Sequence, residues 1–417
     1  MVLVPEFHQP EQRSREARLD EAVGLALAIN LDVVDAGIIP IKKAVPASLM
    51  GKGKLEEIAG QVKALDVGVA IVDHAISPKQ QQNLEKAWNC KVLDRTGLIL
   101  EIFGERAQTK EGRLQVELAH LNYQKGRLVR TWTHLERQRG GLSFVGGPGE
   151  TQIEADRRMI QERINRLEKE LEKVRRTRNL HRSKRKKVPF PVVALVGYTN
   201  AGKSTLFNRL TGAGVFAKDL LFATLDPTLR QLNLPQGSRV ILSDTVGFVS
   251  NLPTHLVAAF RATLEEVTEA ELILHVRDIA HQDTDAQAAD VYSILEQLGI
   301  AGDAAENVLE VWNKVDLLEP EEVEAMAGRT HEGRAPLLVS AETGFGLDEL
   351  LTTIEEFTSS GSDVVEIRLP LEAMGILPQI YEEAIVIERT DEEAGSVLIK
   401  LRAPVEFRQG LTDYLVN

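Results

Sequence analysis

Residues 192–212 read VVALVGYTNAGKSTLFNRLTG, and this stretch decides the fold. VVALV is an apolar run with the length of a buried strand. Gly197, Tyr198, Thr199, Asn200, Ala201, Gly202, Lys203 and Ser204 then match G-x-x-x-x-G-K-S/T, and Thr205 onward continues with helical spacing. A strand, a glycine loop and a helix in that order form a phosphate cradle. The glycines let backbone N–H groups turn inward, and the helix N-terminus adds its dipole. In such a loop the lysine, here Lys203, reaches the β- and γ-phosphates, and the hydroxyl of Ser204 ligates Mg2+.

Three further motifs follow at the ends of apolar runs. Asp244-Thr245-Val246-Gly247 closes VILSD, so Asp244 is expected in the Mg2+ shell through water and the Gly247 amide at the γ-phosphate. Asn313-Lys314-Val315-Asp316 closes VLEVW; the Asp316 carboxylate suits guanine N1–H and N2–H2, a donor pair adenine lacks. Ser340-Ala341 follows PLLV and offers a backbone amide to guanine O6. Four motifs in this order, each at the carboxyl end of a strand, read as a GTP-hydrolysing domain. Between the first two lies FATLDPTLR. A threonine there closes over Mg2+ and the γ-phosphate; Thr224 is the choice and Thr228 the alternative. The expected catalytic group is thus Lys203, Thr224 and Gly247. Phe248 follows Gly247 where better-known small GTPases carry a water-orienting Gln, so unaided hydrolysis is expected to be slow. Asn200 either caps the loop or coordinates K+.

Around this core the 417 residues divide into four segments. Residues 1–112 alternate helical and strand-like stretches and read as a small α/β domain with parallel strands. Within it GKGKLEEI is either an anion site at a helix start or a tight turn with solvated lysines. Residues 113–187 read as an antiparallel helical hairpin with a glycine-rich tip at 140–150, residues 188–360 as the P-loop domain, and 365–417 as a small C-terminal α+β domain. The fold class is therefore multidomain α/β. A single cysteine, Cys90, excludes a disulfide framework or a cysteine zinc site within one chain. No run approaches the roughly 18 apolar residues of a membrane helix, and the start is not a signal peptide. A cytoplasmic monomer is expected.

The hairpin rests on two heptad seams. Leu114, Leu118, Leu121, Lys125, Leu128, Trp132 and Leu135 step alternately by four and three, broken only by Lys125. Ile160, Ile164, Leu167, Leu171 and Val174 repeat the pattern. The net charge of −13 conceals an asymmetry. Residues 104–187 hold 22 Lys and Arg against 11 Asp and Glu, a surplus of +11, so the remainder carries −24. A basic stalk with a tip too glycine-rich to build a core suits insertion into a polyanion; an ordinary linker between two packed helices is the alternative. The candidate RNA contacts are Arg137, Arg139, Gly140, Gly141, Phe144, Gly146, Gly147, Gly149, Arg157 and Arg158.

Taken together, GKGKLEEI, LDRTGLILEIFGERAQTKEGRLQVELAHLNYQ, GGLSFVGGPGETQIE, GYTNAGKSTLFN, FATLDPT, DTVGF and NKVD resemble the HflX family of translation-linked GTPases over nearly the whole chain. The resemblance implies a cytoplasmic GTPase that binds the large ribosomal subunit and splits stalled or idle ribosomes, particularly under heat stress. It implies that the tip approaches the peptidyl-transferase region through ribosomal RNA, that ribosomes stimulate hydrolysis, and that the N-terminal domain binds ATP and has a weak ATPase activity, for which GKGK is the candidate segment. For the acidic tail, with Glu382, Glu383, Glu392 and Glu393, a ribosomal-protein contact is expected. Two other readings compete: a GTPase acting on another RNA, such as a tRNA or a ribosome-assembly intermediate, and a coiled-coil scaffold that binds GTP only as a structural switch.

Overall fold

The structure is a computed structural model. It describes the chain except residues 8–12, 139–151, 186–189, 213–220, 223–227, 251–260, 301–305, 328–334, 359–361, 393–394, 405–406, 409 and 417. Three separate sheets organise it, in the order in which the chain reaches them.

The first sheet takes β1 (Val2–Phe7), β2 (Ala36–Ile41), β3 (Val69–Val72) and β4 (Lys91–Asp94) in the order β2-β1-β3-β4, all parallel. Parallel neighbours need crossovers, and helices α1 (Arg15–Leu27), α2 (Lys52–Ala64) and α3 (Pro78–Trp88) supply them. Short polar side chains start α1 and α3. Ser14 accepts from the Ala17 amide, and Ser77 with Gln80 forms a capping box ahead of Pro78. Asp94 ends β4 and caps α4 (Arg95–Arg106), accepting from the Gly97 amide at 2.8 Å.

Next come α5 (Lys110–Gln138) and α6 (Gln152–Arg185). They run antiparallel: Glu117 meets Arg163 at 2.7 Å, and Lys125, eight residues further along α5, meets Gln161 of α6. Leu114, Leu167 and Leu171 form their buried seam, with Leu118, Leu121 and Val174 packed on it. Lys125, the break in the heptad pattern, spends its amine on the facing Gln161. The middle of α5 is fixed to the end of β4, since Tyr123 donates to Asp94 at 2.5 Å and Arg127 pairs with the same carboxylate.

The central sheet has the order β10-β9-β8-β5-β7-β6, made of β5 (Val192–Val196), β6 (Thr228–Asn233), β7 (Arg239–Asp244), β8 (Leu272–Asp278), β9 (Val308–Asn313) and β10 (Leu337–Leu338). Only the β6–β7 pair is antiparallel. Strand β5 is buried on both faces. Val193 and Leu195 pack with Phe207, Leu242 and Ile354, whereas Ala194 and Val196 face the opposite core. That second core is shared between sheets, because Leu98, Ile99, Ile102 and Phe103 of α4 pack with Phe222, Val246, Phe248 and Val249. Phe103 meets Phe222 edge to face, centroids 4.7 Å apart. The last sheet is antiparallel, β11 (Ser362–Leu369), β13 (Val397–Pro404) and β12 (Ile385–Asp391) in that order, with the helix Leu377–Glu383 supplying Ile380 to its core. The multidomain α/β class expected from the sequence is the fold observed.

Polar groups also cross the shared face. Glu21 of α1 is buried and accepts from Arg13 at 2.6 Å, from Arg95, from the Tyr198 hydroxyl at 2.5 Å and from the Ser250 hydroxyl at 3.1 Å. Burial alone raises its pKa, but the guanidinium groups of Arg95 and Arg13 and the Tyr198 hydroxyl outweigh that and hold it at about 2, against an ordinary 4.5. Because the folded-state value is depressed, the stabilisation it brings is complete above pH 4.5 and is lost as pH falls toward 2. Calorimetric melting of wild type and Glu21→Gln between pH 7 and pH 2.5 should therefore show two curves that lie apart at neutral pH and converge in acid. Parallel curves would mean that Glu21 is not held ionised.

Candidate functional site: a phosphate-binding loop at the carboxyl edge of the central sheet

The four sequence motifs meet at one edge of the central sheet, where β5, β7, β9 and β10 all end. The loop after β5 is built on steric necessity. Gly197 lies so close to β8 that a Cβ would sit 2.2 Å from the Val276 carbonyl oxygen. Gly202 has φ +90° and its Cβ would fall 2.2 Å from Asn313 Nδ2. Asn200, with φ +62°, turns the exposed tip of the loop, as an asparagine does at low cost.

Helix α7 (Lys203–Thr211) begins at the second glycine. Lys203 is buried, and its Nζ donates to the carbonyl oxygens of Gly197 at 3.1 Å and Tyr198 at 2.8 Å. Burial pushes its ammonium down to about 8, with Asp244 acting in the opposite sense. One residue on, Ser204 Oγ donates to Asp244 Oδ2 at 2.8 Å, so the motifs ending β5 and β7 touch directly. Thr205 is half-buried behind them. A hydroxyl and a carboxylate oxygen meeting at a phosphate loop are the donor set of a hard cation such as Mg2+, which takes few protein ligands and fills its shell with phosphate oxygens and water. Accordingly, the described residues hold no group of three His, Cys, Asp or Glu side chains able to bind a metal alone.

The chain beyond Asp244 is laid against the loop. Phe248 N donates to Gly197 O at 3.1 Å, and Thr199 N donates to Phe248 O at 2.8 Å. Between them Gly247 passes so close that a Cβ would lie 2.9 Å from Thr199 Cγ2 and 3.1 Å from Lys203 Nζ. The Phe248 ring turns away into the core shared with α4 and is 2% exposed, so it offers nothing to orient water.

On the other side of the loop, Asn313 joins two motifs. Its Nδ2 donates to Ala201 O at 2.9 Å and its Oδ1 accepts from the Ala341 amide at 3.0 Å. Lys314, at φ +69°, pairs with Asp278 at the end of β8 at 2.7 Å. Asp316 is exposed at the edge of the site, and Ser340 is buried, its Oγ accepting from the Thr343 amide at 3.0 Å.

The other expected positions fall elsewhere. Thr224, Arg139, Gly140, Gly141, Phe144, Gly146, Gly147 and Gly149 lie outside the described residues, as does the side chain of Arg137. Arg157 and Arg158 are exposed on α6. In GKGKLEEI, Lys52 and Lys54 pair with Glu56 and Glu57 of their own helix at 3.7 and 2.7 Å, the arrangement of a solvated face. What sequence reasoning missed is the contact between Tyr198, Ser250 and the first sheet through Glu21 and Arg95. These partners lie 177 and 155 residues apart in the chain, and no local spacing reveals them.

A glycine loop joined to a D-x-x-G turn and an N-K-x-D turn on adjacent strand ends defines a P-loop GTPase. Family models agree along the chain. Those described as GTP-binding GTPase N-terminal, GTP-binding GTPase Middle Region, 50S ribosome-binding GTPase and HflX C-terminal domain match residues 16–104, 106–185, 192–314 and 325–410. GTPase HflX of Magnetococcus marinus is 49% identical over 93% of this chain and 88% of its own length. GTPase HflX of Escherichia coli is 45% identical over 89% of this chain and 88% of its own. A solved structure, that of SsGBP in complex with GDP, aligns over 86% of this chain and 98% of that one at TM-score 0.47 and 23% identity. The chain belongs to the HflX family of GTPases.

Two site aspartate and asparagine variants should separate scaffold from surface. Asn313→Ala strands the Ala201 carbonyl and the Ala341 amide and is expected to cost about 2–4 kcal/mol in urea unfolding. Asp316→Asn, at an exposed position, should change stability by less than about 0.5 kcal/mol. Equal losses in the two would refute the assignment of Asn313 as a structural bridge.

Proposed function

We propose that this protein is a cytoplasmic GTP-hydrolysing factor that binds the large ribosomal subunit through its basic hairpin and separates the subunits of stalled or idle ribosomes, a role tied to stress. What carries the reading is the placement of charge. The surplus of +11 falls on residues 104–187, which include the antiparallel helices α5 and α6, in a chain otherwise strongly acidic. Such a stalk concentrates phosphate-seeking charge while the rest of the surface repels nucleic acid, so binding is directed to the hairpin and its tip. The family description "50S ribosome-binding GTPase" supports the same partner.

In this reading the loop amides from Gly197 to Thr205 surround the phosphates. The Lys203 ammonium leaves the Gly197 and Tyr198 carbonyls for the β- and γ-phosphate oxygens and neutralises charge that develops between them. Ser204 and, through water, Asp244 hold Mg2+, which draws charge from the phosphate oxygens when bound. Thr224 joins them from the switch segment, and the Gly247 amide contacts the γ-phosphate. Asp316 takes the guanine edge, Lys314 flanks the base, and the loop of Ser340 and Ala341, braced by Asn313, faces O6. With Phe248 buried, water is positioned from outside this segment; K+ at Asn200 is one contributor and the ribosome another.

The decisive experiment is co-sedimentation with purified large subunits. Wild type should pellet far more strongly with a non-hydrolysable GTP analogue than with GDP, and deletion of residues 141–149 should abolish pelleting while leaving GDP affinity intact. Absence of pelleting in both nucleotide states would reject the ribosome as partner. Separately, Asp316→Asn should move preference from guanosine to xanthosine nucleotides by a factor of at least ten, read by competition binding. An unchanged guanine preference would remove Asp316 from the base site.

A further inference from the structure

Ser250 lies three residues past Gly247, and each of its polar atoms is bonded, to Arg95 of α4, Glu21 of α1 or Tyr198 of the phosphate loop. Arg95 donates to its carbonyl oxygen from Nη2 at 3.0 Å and Nε at 3.3 Å, and to its hydroxyl at 2.9 Å. Glu21 accepts from that hydroxyl at 3.1 Å, and the Ser250 backbone amide donates to the Tyr198 hydroxyl at 2.7 Å. Tyr198 is the second residue of the phosphate loop, and its hydroxyl is itself bonded to Glu21 and Arg13. Arg95 in turn is anchored by Asp73 at 2.5 Å and by Glu21, and these side chains are all buried. A guanidinium fork with this many fixed partners has one orientation.

The residue before Arg95 faces the other way. Asp94 accepts from the Gly97 amide, from the Tyr123 hydroxyl and from Arg127, and the Arg127 guanidinium lies 4.2 Å from the Tyr123 ring centroid. Two consecutive residues, at the junction of β4 and α4, therefore bond the middle of α5 on one side and the segment following Gly247 on the other.

We propose that Arg95 is a positioning residue for GTP hydrolysis, acting through Ser250 to set Gly247, and that Asp94 ties this setting to the hairpin. The proposal rests on the γ-phosphate role given above to Gly247. Gly247 has almost no room beside Thr199 and Lys203, so a small drift at Ser250 displaces its amide from the phosphate. Such drift lowers the fraction of enzyme with the amide in place, and rates fall while nucleotide affinity, set by the loop and the base site, does not. Through Asp94 and Arg95, α5 is joined to Ser250 by a short chain of hydrogen bonds and ion pairs, so a load on α5 has a direct path to that residue.

The test is steady-state GTP hydrolysis by the full chain without ribosomes, with GDP affinity measured alongside. Arg95→Ala should lower kcat at least tenfold with GDP affinity within twofold of wild type, and Arg95→Lys, which still donates to the Ser250 carbonyl, should recover part of the loss. Arg95→Ala leaves Glu21 short of a partner and can unfold, so the hairpin side is tested independently. Tyr123→Phe and Arg127→Gln should each lower kcat about threefold or more at unchanged GDP affinity and unchanged helical circular dichroism. Unchanged kcat in both hairpin variants overturns the junction. A rise in kcat with Arg95→Lys overturns positioning. Wild type that fails to bind GDP would instead overturn the nucleotide assignment on which the proposal rests.

Discussion

One carboxylate holds the molecule's halves in register. Glu21 is buried where α1 meets the phosphate loop, and its two oxygens serve Arg95, Arg13, Tyr198 and Ser250 at once. A lone charge in that position would be prohibitive to bury; with two guanidinium groups and two hydroxyls around it the ionised form is the stable one. Hydrophobic contact supplies the bulk of the attraction across this face, through Phe103, Phe222 and Phe248. Apolar packing, however, tolerates sliding. The ion cluster does not, because each bond has a direction, and so it dictates how the first sheet sits against the site.

The nucleotide site shows the same division of labour. Its shape comes from backbone: Gly197 and Gly202 are glycines because the Val276 carbonyl and the Asn313 amide occupy the space of a side chain. Its cohesion comes from a few side chains that bridge motifs, Ser204 to Asp244 and Asn313 to both Ala201 and Ala341. The segment after Gly247 is anchored at both ends, by pairing of Phe248 with the loop and by the grip on Ser250. The segment next to the phosphate loop is thus bonded to side chains from another part of the chain, Arg95 and Glu21.

Much of this was legible in the residues. The unbroken apolar run VVALV read as a buried strand, and the stepping of Leu114, Leu118, Leu121, Leu167 and Leu171 by three and four read as a helix pair. The three parallel crossovers of the first sheet followed from alternating helical and apolar stretches. Lys125, which interrupts the seam, could only be read as a defect; facing Gln161, it is a cross-helix hydrogen bond. The lysines of GKGKLEEI had two readings, and the structure pairs them with glutamates one turn on.

The sequence by itself determined the elements, their order and the chemistry of the phosphate and base motifs, because each depends on residues within one turn or one strand of each other. Only the tertiary structure decided which surfaces meet. Glu21, Arg95, Tyr198 and Ser250 come from four parts of the chain, separated by 52 to 229 residues, and no periodicity links them. Their meeting follows from two sheets pressing α4 between them, a packing outcome that depends on all the buried surfaces together. Asp94 and Arg95 show the boundary within two adjacent positions. In the fold, one bonds Tyr123 and Arg127 of α5 and the other Ser250, three residues past Gly247.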